Sequence, residues 1–209
     1  MKERPILFSA PMVRALLAGT KTQTRRVVKI THRTPGLAAC LAPPAGMRTR
    51  TSLAAELCPY GHPGDRLWVR ESWSPDPPDV DGWGYTAWAG CREGQIAGVP
   101  ERFRYPRFCN YAADWLHGPI RWTPSIHMPR WASRITLEIT SVRVERLQEI
   151  SEADAQAEGW TRRPEVSTDP QVHKEAARDW FMDLWESING PGSWDANPWV
   201  WVIEFRRLA

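Results

Sequence analysis

The chain has 209 residues, 42% hydrophobic and 24% charged, with 27 basic against 24 acidic side chains and a net charge of +3. That composition is ordinary for a globular protein, and no apolar run reaches the length that spans a bilayer, which excludes a helical membrane protein. So mild a basic surplus permits a nucleic-acid partner without requiring one, because a local patch counts for more than the total.

Along the chain, Lys2, Glu3 and Arg4 put charge where a secretory signal would need an apolar segment, so a cytoplasmic location is expected. Ser9 to Leu17 predicts a short helix: Ser9 caps it, Pro11 suits its first turn, Val13, Leu16 and Leu17 make one face, and Gly19 stops it. Directly after that stop comes the polar run Lys21-Thr22-Gln23-Thr24-Arg25-Arg26. Residues 31–65 are rich in Pro, Gly, Thr and Ala and show no sustained period. In "HPGDRLWVRESW" (62–73) the turn residues Pro63-Gly64-Asp65 feed a strand in which Leu67 and Val69 alternate with Trp68 and Arg70. Residues 74–124 are loop-rich, broken by "SPDPPDVDGWG", with a hairpin near Trp83–Trp88, and they read as an insertion.

"SRITLEITSVRVERL" (133–147) is the clearest strand, with a bulge or bend near Ser141 to reconcile Ile135, Leu137 and Ile139 with Val142 and Val144. In "ISEADAQAEGW" Ser151 and Asp154 have capping-box spacing and Gly159 ends a two-turn helix. Residues 161–173 read as polar loop. Ala177, Trp180, Phe181, Leu184, Trp185 and Ile188 then predict an amphipathic helix that "NGPG" stops. "NPWVWVIEFRRL" closes the chain as a strand, with Trp199, Trp201, Ile203 and Phe205 on one side. Strands outnumber short helices and lie far apart in sequence, which points to a small mixed barrel with helices at its ends.

Which residues could do chemistry? A threonine hydroxyl attacks only when a base takes its proton, and lysine is that base only when burial or nearby cations depress its pKa. Lys21 and Thr24, with Arg25, Arg26 and Arg70 as cations, fit that requirement; a solvated basic turn is the plain alternative. Glu158 sits where a helix dipole disfavours negative charge, so it can serve as a general acid, or else pair with Arg162 or Arg163 at the surface. In "TPSIHMPRWASR" two prolines stiffen a loop that can present Ser125, His127 and Arg130 to a phosphate or base edge, or simply connect strands. The tryptophans Trp68, Trp73, Trp131, Trp199 and Trp201 fit a core better than a stacking platform. Cys40, Cys58, Cys91 and Cys109 show no C-x-x-C pairing, so reduced thiols are expected rather than a zinc site reaching to His62.

Four blocks, "LLAGTKTQTRR", "PGDRLWVRESW", "LQEISEADAQAEGW" and "NPWVWVIEFRRL", taken in order, resemble an ASCH domain of the PUA-like superfamily, in the longer form common in phages. The resemblance implies an α+β fold: a small mixed β-barrel with flanking short helices, here one domain over 1–209 with insertions near 31–60, 74–124 and 160–174. Some ASCH proteins are amidohydrolases that deacetylate N4-acetylcytidine, and by that likeness Lys21 is the base, Thr24 the nucleophile and Glu158 the acid. Thr22, Arg25, Arg26, Arg70, Ser125, His127 and Arg130 are then the substrate- or nucleic-acid-binding residues of a basic cleft. The partner would be a modified nucleoside, or RNA or another single-stranded nucleic acid, in the host cytoplasm if a phage encodes the protein. No metal or other cofactor is expected. The alternatives are a non-catalytic RNA-binding module in the same cleft, and a ribonuclease using His127.

Overall fold

The computed structural model describes residues 1–31, 34–42, 45, 47–75, 99, 101–118, 120–161 and 170–208, with only the backbone for 170–176. "NPWVWVIEFRRL" forms β7 (Trp199–Arg207), whose residues Val200, Trp201, Val202 and Ile203 are all at 2% exposure or less. A one-sided strand was expected there; both faces are covered instead. The cause is position: β7 lies inside a five-stranded sheet ordered β1 (Glu3–Leu7), β3 (Arg66–Arg70), β6 (Thr136–Arg146), β7, β2 (Gln23–Val27). Interior strands covered on both sides read as continuous apolar runs.

The architecture is α+β. β1 runs parallel to β3, with Glu3 opposite Arg66, whereas β2 runs antiparallel to β7, with Thr24 opposite Ile203. Among the described residues the order ends on β1 and β2 without closing into a ring; a mixed sheet with short helices is otherwise the expected one. Packing divides the chain into two compact units: Met1–Lys2, Ala15–Asp65 and Glu138–Arg206 in one, Glu3–Arg14, Arg66–Leu137 and Arg207–Ala209 in the other.

The local rules explain most elements. Helix α1 (Ala10–Leu17) starts after Ser9, buries Val13 and Leu16, and ends at Gly19 with φ +76°. In β6 the buried positions change parity between Ile139 and Val144, as a bend near Ser141 requires. Helix α4 (Glu152–Ala157) carries the capping box: the Ser151 hydroxyl accepts from the Asp154 amide at 3.1 Å, and the Asp154 carboxylate accepts from the Ser151 amide at 3.4 Å.

Helix α5 (Pro170–Asn189) begins inside the stretch read as polar loop. Proline is accommodated at a first helical position, where its missing N–H is not needed. Its stripe Ala177, Phe181, Trp185 packs with Leu147, Ile150, Ala155, Val200 and Val202 into the core of the first unit. The second unit has its own core of Trp73, Cys109, Tyr111, Met128 and Ala132, around the two-stranded pair β4 (Trp73–Pro75) and β5 (Cys109–Tyr111). Within 31–60 the described residues include the helices α2 (Pro35–Leu41) and α3 (Thr51–Ala55). The hairpin expected near Trp83–Trp88, Cys91 and the Arg162–Arg163 pair lie outside the described residues. Among the described residues no helix is long and apolar enough to cross a membrane, and no group of three or more His, Cys, Asp or Glu could hold a metal ion.

Candidate active site

Backbone geometry brings residue 21 to residue 158. At the end of α1 the amides of Thr20 and Lys21 both reach the Ala15 carbonyl, at 3.0 and 3.2 Å, and turn the chain sharply. Lys21 then forms an isolated antiparallel bridge with Glu158, and the Thr22 amide donates to the Ala157 carbonyl at 2.8 Å. Gly159, at φ +107°, lets the two segments approach: a Cβ there would lie 2.9 Å from that of Ala15 and 3.3 Å from that of Lys21. Only glycine takes both that dihedral and that contact without strain.

Within this frame the Lys21 ammonium donates to Glu158 Oε2 at 2.6 Å and to the Glu158 carbonyl at 2.8 Å. The side chains are 0% and 3% exposed. Burial is the largest influence on Lys21 and pushes its amine down; Glu158 pulls it back up, while Arg26 and Arg25 press it down again, and the net direction is down. Burial also lowers Arg26, against the stabilising influence of Tyr60 and Glu158.

β2 alternates. Gln23 and Arg25 share one face, where Gln23 donates to the Asp154 carbonyl at 2.9 Å and Arg25 Nη1 donates to Glu158 Oε1 at 3.3 Å. Arg25 Nη2 also meets Glu145 Oε1 at 2.6 Å and Asp154 Oδ2 at 3.4 Å. Thr24 and Arg26 point to the opposite face; Thr24 is 2% exposed, and among the described residues no hydrogen bond joins its side chain to Lys21 or Glu158. Thr22 is exposed.

The surroundings differ from the basic cleft that was expected. Lys21, Arg25, Arg143 and the neighbouring Arg26 stand against Glu158, Glu145, Asp154 and Glu204, so the cluster is balanced in charge rather than basic. Arg25 in particular is no phosphate contact: its side chain has 0% exposure and its Nη groups are engaged by carboxylates. A charge taken out of water needs such partners, which is why the arginine faces inward.

Arg70, Ser125, His127 and Arg130 belong to the second unit. There Arg70 donates to the Ile126 carbonyl at 3.2 Å and stacks 4.6 Å from the Trp68 ring centroid. Ser125 and His127 form a 3-10 turn, and Arg130 pairs with Glu3 at 3.0 Å and reaches the Thr136 hydroxyl at 3.2 Å. Trp68, Trp73 and Trp201 are buried, as a core role requires.

Sequence reasoning missed Arg143, Glu145 and Glu204, and saw Asp154 only as a cap. The available signal was charge at alternate strand positions, Arg143 and Glu145 on β6, which places both on one face.

Fold and site together define an α+β protein with a buried lysine–glutamate pair at the end of a short helix. No family model and no curated protein matches the chain. Among solved structures it is similar to the ASCH domain from Lactobacillus crispatus JV V101, at 11% identity over 99% of this chain and 79% of that one, with a TM-score of 0.35. A likeness at that level adds no argument about the site.

Proposed function

We propose that the protein is an amidohydrolase acting on an N-acylated nucleoside or base of the N4-acetylcytidine kind, with Lys21 as base, Thr24 as nucleophile and Glu158 as acid. The observation that carries this reading is the sealed Lys21–Glu158 hydrogen bond of 2.6 Å. Acyl transfer needs a neutral amine and a protonated carboxylic acid. Moving one proton from Lys21 Nζ to Glu158 Oε2 along that bond produces both at once, with no change in net charge.

Lys21 then takes the Thr24 proton as the hydroxyl oxygen attacks the acyl carbon. Glu158 gives its proton to the departing amine nitrogen, and water later releases the acid from Thr24. Lys21 lies just before β2 and Thr24 is its second residue; no hydrogen bond joins the two among the described residues, so the attack requires a rearrangement at the start of β2. The ASCH-like order of the four sequence blocks supports the same roles.

Arg26, on β2 beside Glu158, would hold the substrate's polar face. The receptor reading is weakened, because Lys21 and Arg25, two of its phosphate contacts, have side chains at 0% exposure.

The test is turnover of N4-acetylcytidine by the purified protein, followed as cytidine release. Lys21→Ala, Thr24→Ala and Glu158→Gln should each lower kcat by about 10²–10⁴-fold. Undiminished turnover in Lys21→Ala refutes the roles. Binding of RNA that weakens steeply with salt and survives Thr24→Ala identifies a passive module instead.

A further inference from the structure

Arg25 is a buried charge held by three carboxylates. Its side chain has no exposure, yet it meets Glu158 Oε1 at 3.3 Å, Glu145 Oε1 at 2.6 Å and Asp154 Oδ2 at 3.4 Å, with its guanidinium carbon 5.7 Å from the Phe181 ring centroid. Arg143, with 33% of its side chain exposed, takes the other oxygens of the same two acids: Glu145 Oε2 at 3.0 Å and Asp154 Oδ1 at 2.7 Å. It also pairs with Glu204. Each shared carboxylate therefore has one oxygen on Arg25 and one on Arg143.

We propose that Arg25 is the positioning residue of the site: it holds Glu158 by Oε1 so that Oε2 faces Lys21, and Arg143 holds Arg25 in place through Glu145 and Asp154. This rests on the reading of Lys21 and Glu158 as base and acid. A carboxylate pinned by one oxygen presents the other in a fixed direction, which proton exchange across 2.6 Å requires. Arginine suits the task because its planar fork keeps its charge and serves several acceptors at once.

Among the described residues, the charged and titratable groups around Lys21 include Glu158 on the turn after α4 and Arg25 and Arg26 on β2. Tyr60 stands beside Arg26, and Asp154, Glu145, Arg143 and Glu204 lie behind Arg25. Removing Arg25 takes one cation from this set, so Lys21 keeps its proton to higher pH and the base becomes available later.

Two readouts test the proposal on the full-length chain. The first is the pH profile of kcat/KM on N4-acetylcytidine for wild type, Arg25→Met and Arg25→Lys. The second is an NMR titration of lysine-labelled protein, with the Lys21 signal assigned by its loss in Lys21→Arg. Arg25→Met should lower kcat/KM by about tenfold or more and move the acid limb up by roughly half a pH unit or more, with the Lys21 titration moving the same way. Arg25→Lys, which keeps the charge but not the fork, should return the limb toward wild type while the rate stays depressed.

A Lys21 titration and an acid limb that stay in place in Arg25→Met overturn the proposal, even if the melting temperature falls. If wild type leaves N4-acetylcytidine intact, the amidohydrolase reading falls. The NMR titration still decides whether Arg25 governs Lys21: an upward move supports the proposal, and no move overturns it. Should Arg25→Met fail to fold, Arg143→Met loosens the same carboxylates and is judged by the same two shifts.

Discussion

Two buried charge clusters, one in each unit, handle similar residues in opposite ways. In the second unit Glu71, 2% exposed, accepts from Arg134 Nε at 2.9 Å and Nη2 at 3.0 Å. Arg134 also grips Asp114 at 2.6 and 3.1 Å, and lies 3.9 Å from the Tyr111 ring centroid. Tyr111 in turn donates to the Ala132 carbonyl at 2.8 Å. Both Glu71 oxygens are served by a group that never gives up its proton, so the cluster is a pin. In the first unit the buried acid Glu158 faces an arginine, Arg25, and also a lysine, Lys21, whose amine burial drives toward the neutral form. Burial alone does not mark a reactive charge; a buried cation able to lose its proton does.

The largest effects should split the two clusters by kind. Lys21→Met should cut the proposed turnover by about 10²–10⁴-fold while destabilising the fold by only about 1–3 kcal/mol, since Glu158 keeps Arg25 as a partner. Arg134→Met strands Glu71 and should cost about 3–5 kcal/mol in urea denaturation. A Lys21→Met protein that fails to fold, or an Arg134→Met protein as stable as wild type, would erase the distinction.

How much of this could be seen in the amino-acid string follows from the range of the forces involved. Helix α4 was legible to the residue, because Ser151, Asp154 and Gly159 act within one or two turns of each other. That Glu158 ends the helix was therefore legible too. Its meeting with Lys21, 137 residues away, depends on chain topology, and only the family resemblance suggested it. Arg25 was misread as a ligand contact because a five-residue strand does not announce which face is covered. For β7 the signal was present: Val200 and Val202 fill the positions that a one-sided strand would give to polar residues.

A middle-sized effect tests whether backbone closure, rather than side-chain attraction, places Lys21 beside Glu158. Gly159→Ala adds a methyl 2.9 Å from the Ala15 Cβ at a backbone of φ +107°, and should cost about 1–3 kcal/mol while also reducing turnover. Gly64→Ala is the control. It has φ +88° but nothing within 4 Å of the new methyl, so the dihedral alone should cost about 1 kcal/mol and leave turnover unchanged. Thermal melts and cytidine release on both variants decide it; equal losses would mean that the contact with Ala15 and Lys21 is unimportant.

The smallest effects are pH slopes, and here the clusters should diverge in sign. Burial is the largest influence on Glu71 and raises it above the ordinary 4.5, overcoming Arg134. The folded protein thus binds that proton at higher pH than the unfolded chain, and the stabilisation is full below 4.5 and lost as pH rises through the folded value. Asp154 runs the other way. Burial pushes it up, but the Ser151 hydroxyl together with Arg25 and Arg143 outweighs burial and holds it below 3.8. Its contribution is present above 3.8 and lost as pH falls through the folded value. In urea denaturation the stability of wild type relative to Glu71→Gln should therefore grow as pH drops from neutral toward 4.5, and relative to Asp154→Asn should shrink below 3.8. Each slope is bounded by about 1.4 kcal/mol per pH unit, and Asp154, with 23% of its side chain exposed, should fall well short of it. Slopes of the same sign would mean that the acids of the two clusters titrate alike, and the contrast between a fixed pin and a tuned site would lose its electrostatic basis.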